Sequence, residues 1–307
     1  MKVTIIGSGN VGGQCACLLA CKNIVEQIVL LDINKGVSEG KSLDISQMLS
    51  VVKSDTVVYG YTNDYSKSKN SDIIVITCGI TRKQGMNRDD LLNINAKIIC
   101  SAAKNSLIFS PNAKFIIVSN PLDIMTYVSY ITLKIDYKKV IGMAGILDIA
   151  RYKFFLSKKL NISCSSIQSL LLGGHGDKMV PLYRYSSIEG IPLKEFLTEK
   201  ENEKIVSRTK KGGEEIVNYL GTSAWMAPSI SIVEMIKSIL KNSRKLFCCS
   251  ALLNGEYDIN NLFLGVPVIL GKNGVERVIE LKLNNKEFNL LHESANHIKK
   301  VINKLNI

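Results

Sequence analysis

Short apolar runs alternate with amphipathic stretches through the first half of the chain. KVTII (2–6) and IVLLD (28–32) flank QCACLLACK (14–22), whose apolar spacing is that of a buried helix. Further apolar runs fall at 55–60, at 72–77 (DIIVIT), at 114–118 (KFIIV) and at 138–141, separated by helical patterns such as LLNINAKIICSAAK (91–104). Buried strands that alternate with helices predict an α/β fold with a Rossmann-type, doubly wound parallel sheet and right-handed crossovers. From about Met143 the pattern changes. A strand-rich stretch around 262–282 reads as a hairpin, GVPVIL and VERVIEL about a GKNG turn, and a helix over roughly 286–305 closes the chain. The apolar face of ISIVEMIKSIL (230–240) suits either the core or a contact between subunits. The expectation is two domains, 1–142 and an α+β domain over 143–307.

The turn after the first strand carries Gly7-Ser8-Gly9-Asn10-Val11-Gly12. A strand, a GxGxxG turn and a helix in that order bind the pyrophosphate of a dinucleotide. Gly7 makes the tight turn, Gly9 permits close approach of the phosphates, and Gly12 lets helix and strand pack closely. Asp32 stands twenty positions beyond Gly12 at the end of the second strand, where a carboxylate holds the two ribose hydroxyls and repels a 2′-phosphate. No arginine follows Asp32 directly, so NAD is expected in preference to NADP. The strand ends at Cys78-Gly79 and at Ser119-Asn120-Pro121 belong to the carboxyl edge, where such sheets bind ligands.

The second half offers proton-transfer chemistry. His175, one of three histidines, lies in Gly173-Gly174-His175-Gly176-Asp177, downstream of Asp148 and Arg151. An imidazole paired with a carboxylate can exchange a proton near neutral pH. Arg151 follows Asp148 by three residues and so shares its helix face, placed to hold a substrate carboxylate. The polar loop TRKQGMNRDDLL (81–92) brings Arg82 and Arg88 on what reads as a lid that closes over substrate and polarises its carbonyl.

Composition narrows the alternatives. The chain has 307 residues, 46% of them hydrophobic and 21% charged, which favours an ordinary globular protein over disorder. No apolar run reaches membrane-spanning length, and MKVTIIGSGNVGG lacks the features of a signal peptide, so a cytoplasmic protein with no membrane partner is expected. The eight cysteines sit mostly in apolar patterns and are read as free thiols, and no paired CxxC or HExxH suggests a metal. The net charge of +12 is spread over scattered lysines without an arginine-rich or aromatic-interleaved stripe, which argues against a nucleic-acid partner. It can still steer a small dianion.

Taken in order, GSGNVG, Asp32, TRKQGMNRDDLL, SNPLDIMT, GMAGILDIARYKFF, GGHGDKMVPLYRY and GVPVILGKNGVERVIEL resemble the lactate/malate dehydrogenase superfamily over nearly the whole chain, and most closely its lactate-dehydrogenase-like malate dehydrogenase branch. The resemblance implies an NAD-dependent oxidoreductase of the tricarboxylic acid cycle that interconverts malate and oxaloacetate, and a homotetramer or a dimer. It implies that His175 exchanges the proton, Asp148 orients it, Arg151 binds the substrate carboxylate and Arg88 polarises the carbonyl. Asn120 and Ser223 match substrate-facing positions, and Gly7, Gly9, Asn10, Val11, Gly12, Asp32, Gly79, Asn95 and Asn120 match cofactor positions. Gln84 departs from the proline of many relatives, which bears on lid stiffness. Arg82 stands where lactate dehydrogenases typically carry glutamine, and it would pair with the second carboxylate of oxaloacetate. With pyruvate it would be enclosed unpaired, at a cost of roughly 3–5 kcal/mol. A lactate dehydrogenase acting on pyruvate is the nearest alternative. More distant ones are an NAD-using, metal-dependent glycosidase and a non-catalytic nucleotide-binding protein.

Overall fold

The computed structural model describes residues 1–80 and 88–306. In chain order the first half runs β1 (Lys2–Ile6), α1 (Asn10–Cys21), β2 (Gln27–Asp32), α2 (Val37–Val52), β3 (Val57–Thr62), β4 (Ile73–Ile76), α3 (Arg88–Phe109), β5 (Lys114–Ile117), α4 (Leu122–Leu133) and β6 (Val140–Gly142). The second half continues α5 (Gly145–Leu160), β7 (Ile167–Gln168), β8 (Leu171–Gly173), β9 (Met179–Pro181), β10 (Ser187–Ile188), β11 (Ile191–Pro192), α6 (Glu199–Leu220), α7 (Met226–Leu240), β12 (Lys245–Asn254), β13 (Asn260–Gly271), β14 (Gly274–Val278) and α8 (Asn285–Ile302).

One nine-stranded sheet organises the molecule, in the order β14-β13-β12-β6-β5-β4-β1-β2-β3. The strands β3-β2-β1-β4-β5-β6 are mutually parallel, as the alternation of strands and helices predicts. All four residues of β4 are buried, and so are Val3 and Ile5 of β1. Burial on both faces explains why these strands read as unbroken apolar runs. Two parallel crossovers leave from the centre of the sheet in opposite directions, toward β2 through α1 and toward β5 through α3. They place the carboxyl ends of β1 and β4 on either side of a switch point, where a crevice forms.

The strands of the second half do not all form a separate sheet. β12, β13 and β14 are antiparallel and extend the main sheet, with Ser250 of β12 paired to Gly142 of β6. β8 and β9 form a small hairpin that packs near β13, and β7, β10 and β11 form a third sheet. The predicted hairpin is present, with β13 beginning earlier than GVPVIL and β14 ending at Val278. β3 and β6 begin two residues later than the sequence pattern suggests, and the last helix ends at Ile302. α6 and α8 each start with a complete capping box, Thr198 with Glu201 and Asn284 with Glu287, which fixes where these helices begin. Among the described residues no helix is long and apolar enough to cross a membrane.

Candidate active site

The glycine turn has the form the sequence predicts. Gly7 is in the left-handed region at φ 98°, and a Cβ there would lie 2.6 Å from the Cys78 backbone nitrogen. A Cβ on Gly12 would lie 1.9 Å from the carbonyl oxygen of Gly7, so only glycine lets α1 come this close to the turn. A Cβ on Gly9 would meet nothing within 4 Å, which leaves open the place where a phosphate approaches. No side chain caps the start of α1 among the described residues, so its first backbone N–H groups are available to an anion. Asn10 is exposed in the first turn of α1, and the carbonyl of Val11 accepts from Ser229 Oγ at 2.9 Å.

Asp32 sits at the end of β2 with Oδ2 accepting from the Ser8 amide at 2.7 Å and Oδ1 from the Asn34 amide at 3.0 Å. It borders a cavity of about 710 Å³ together with Gly7, Gly9 and Gly79. A second cavity, of about 550 Å³, adjoins it through Thr77, Cys78, Gly79 and Ile80 and is bordered by Asn120, Arg151, His175 and Ser223. The glycine turn, the uncapped helix start and the carboxylate at the end of β2 together fit a dinucleotide laid across the switch point, with its reactive end toward His175.

His175 occupies the turn between β8 and β9, where Gly173 and Gly176 adopt φ of 85° and 93°. Its Nδ1 lies 2.8 Å from Asp148 Oδ2 on α5, which leaves Nε2 as the ring nitrogen free for proton exchange. Asp148 is fully buried. Burial opposes charging of the imidazole, but the charge and hydrogen bond of Asp148 outweigh it and raise the His175 pKa above its ordinary value, with Asp123 acting in the same direction. Arg151 NH1 lies 3.5 Å from Asp148 Oδ1, so one carboxylate serves both cationic groups. Burial draws the Arg151 pKa down and Asp148 resists it. A guanidinium remains charged at any working pH.

Two features of the site carry signals that sequence reasoning did not use. Asp123, in the first turn of α4, is almost completely buried and accepts from the His175 backbone amide at 3.0 Å and from Ser250 Oγ at 2.6 Å. An acid directly after Pro121 and Leu122 reads as an ordinary helix-start residue, and only the fold brings it under the histidine. Lys210 on α6 borders the cavity with Gly213 and Val217, a stripe at helical spacing. Gly212 and Gly213 lie against Arg151, where a Cβ would be 3.4 Å from its Cδ and 3.5 Å from its NH2 respectively, an ordinary packing distance.

Asn95 is buried and braces the cavity wall. Its Oδ1 accepts from the Ile80 amide at 2.9 Å, and its Nδ2 donates to the carbonyls of Ile80 and Asn120 at 3.2 and 3.1 Å. The Asn120–Pro121 bond is cis. Arg82 and Gln84 lie outside the described residues; Arg88 begins α3, and its side chain also lies outside the description.

Two family models cover the chain: the lactate/malate dehydrogenase NAD-binding domain matches residues 1–142, and the lactate/malate dehydrogenase α/β C-terminal domain matches residues 146–306. The chain is 50% identical over 305 residues to a malate dehydrogenase of Cytophaga hutchinsonii, an alignment that covers 99% of this chain and 98% of the relative. A malate dehydrogenase structure from Salinibacter ruber superposes with a TM-score of 0.95 at 42% identity, covering 99% of this chain and 97% of that one. A Plasmodium falciparum malate dehydrogenase in complex with NADH superposes with a TM-score of 0.93 at 36% identity, covering 99% and 98%.

Proposed function

Because the chain belongs to the lactate/malate dehydrogenase family, we propose that it is an NAD-dependent malate dehydrogenase that interconverts malate and oxaloacetate. The observation that carries this reading is the buried Asp148 shared between His175 Nδ1 and Arg151, at the edge of a cavity that continues to the glycine turn. The 50% identity to a malate dehydrogenase supports the choice of substrate, and Asp32 at the end of β2 supports NAD over NADP.

When bound, the nicotinamide supplies a hydride to the ketone or accepts one from the alcohol. Arg151 holds the carboxylate beside the reacting carbon and so fixes the substrate's orientation. For reduction, protonated His175 gives its Nε2 proton to the substrate oxygen as the ketone becomes an alcohol. Asp148 keeps Nδ1 protonated and stabilises the imidazolium without taking its proton. For oxidation, neutral His175 removes the alcohol proton. Arg88 polarises the carbonyl, and Arg82 pairs with the second carboxylate of oxaloacetate. Asn120 and Ser223, both on the cavity wall, contact the substrate. Assembly as a homotetramer, or as a dimer, belongs to the same reading, and the exposed Leu43 and Val51 on α2 supply apolar surface for it.

The test is steady-state NADH oxidation with oxaloacetate and with pyruvate side by side. A large preference for oxaloacetate is expected. A preference for pyruvate would refute the substrate assignment and the role of Arg82, and turnover of neither would refute the enzymatic reading.

A further inference from the structure

The glycine turn is followed at once by a glycine that the dinucleotide fingerprint does not use. Gly13 directly follows Gly12 inside α1, where alanine would favour the helix by about 1 kcal/mol. The structure gives it an occupation. Lys41 of α2 crosses α1 at this point, and a Cβ on Gly13 would lie 2.9 Å from both its Cδ and its Nζ. Through that gap the ammonium reaches the Gly9 carbonyl and donates to it at 2.8 Å. The same carbonyl accepts the Gly13 amide at 3.0 Å, so Lys41 occupies its second lone pair. Lys41 is partly buried; burial lowers its pKa and the charge of Asp32 acts against that.

We infer that Lys41 is a positioning residue for the turn that receives the phosphates of the dinucleotide, and that Gly13 is the gap through which it reaches the Gly9 carbonyl. Lys41 pins the carbonyl of the one turn glycine that stands open to a ligand, which fixes the orientation of the neighbouring backbone amides. It also adds a full positive charge beside the partial charge of an uncapped helix start. Both effects favour an anion at Gly9. The inference rests on the dinucleotide reading above, and it assigns a task to a lysine on an element that contributes no other group to the site.

The test is NADH binding followed by nucleotide fluorescence without substrate, on wild type, Lys41→Ala, Gly13→Ala and the double variant, with a thermal melt of each apo protein. A charge at a helix start is worth roughly 0.3–2 kcal/mol, which corresponds to about 2- to 30-fold in affinity. Each single variant is expected to bind NADH weaker by a factor in that range. The double variant is expected to bind no more weakly than Lys41→Ala, because a methyl group at position 13 has no lysine left to displace. The wild-type affinity is expected to fall more steeply with ionic strength than that of Lys41→Ala. If Lys41→Ala melts lower but binds NADH as tightly as wild type, the lysine only ties α2 to α1 and the inference is overturned. Losses that simply add in the double variant would overturn the link to Gly13. If the wild type does not bind NADH, the proposed function fails, and this inference with it.

Discussion

Replacing Asp148 with asparagine preserves the shape of the side chain but removes its charge and one acceptor. Oδ2 bonds His175 Nδ1 at 2.8 Å, and Oδ1, which has no hydrogen-bond partner among the described residues, faces Arg151 NH1 in an ionic contact at 3.5 Å. An amide offers one acceptor and one N–H group, so in either orientation an N–H faces one of the two cationic partners. The position is fully buried, and water is not at hand to repair the mismatch. Breaking a buried pair of this kind costs about 3–5 kcal/mol, and each ~1.4 kcal/mol is tenfold in rate. The kcat/KM for oxaloacetate reduction should therefore fall by about two to four orders of magnitude. The split between constants identifies the orientation: oxygen toward His175 shifts the loss to KM through Arg151, and oxygen toward Arg151 shifts it to kcat. The pH profile provides a second readout. In the proposed mechanism reduction needs protonated His175, whose pKa Asp148 holds up against burial, so kcat/KM is expected to fall as pH rises through that raised value. Without the carboxylate charge, burial dominates and the fall moves to lower pH. Steady-state rates between about pH 5 and pH 9 test both. A variant within threefold of wild type at every pH, with the limb unmoved, would refute the shared-carboxylate account.

Three further outcomes follow from the geometry. Asp123→Ala should lower kcat by about 5- to 150-fold, the equivalent of the roughly 1–3 kcal/mol for an unpaired buried His175 amide, while Asp123→Asn, which keeps an acceptor, should recover most of it; equal loss in both variants would show that the hydrogen bond is not the cause. Gly12→Ala should abolish NADH binding, measured by fluorescence, because its Cβ would lie 1.9 Å from the Gly7 carbonyl, and binding within tenfold of wild type would contradict the packing. His175 has a raised folded pKa, so its pairing contributes stability that is fully present below about pH 6.5 and is lost as pH rises through the folded value. The melting temperature of wild type should therefore decline more between pH 6 and pH 9 than that of His175→Gln, and parallel curves would disprove the linkage.

Local patterns were readable in the sequence, and long-range ones were not. KVTII, the glycine turn and Asp32 form a continuous strand, turn and strand end whose chemistry depends only on neighbours, and the structure reproduces it. The Asp148–Arg151 pairing follows from three-residue helical spacing. β12 was not anticipated: KLFCCSALLN is buried over six consecutive residues, so it lacks the alternation that marks a strand, and its cysteines and serine dilute the apolar signal. Its hydrogen bonding to β6 was equally hidden, since nothing near Gly142 announces a partner more than a hundred residues away. Asp123 and Lys210 escaped notice for the same reason. The groups they face come from other elements, the His175 amide for Asp123 and the rest of the cavity wall for Lys210, and in the sequence each is an unremarkable charge on a helix.

The continuity of the main sheet governs what happens if the polypeptide is divided. Within the sheet the two halves meet where Ser250 of β12 pairs with Gly142 of β6, and Ser250 also carries the hydroxyl that reaches Asp123 beneath the histidine. A fragment ending near residue 142 would keep the glycine turn and Asp32 but leave β6 as a bare sheet margin, open to self-association. The complementary fragment would keep His175 but lose the acid that holds its backbone in place. In the proposed function, nucleotide binding and proton transfer therefore fall to different stretches of chain, yet the contact that holds the histidine turn exists only where the two are sewn together.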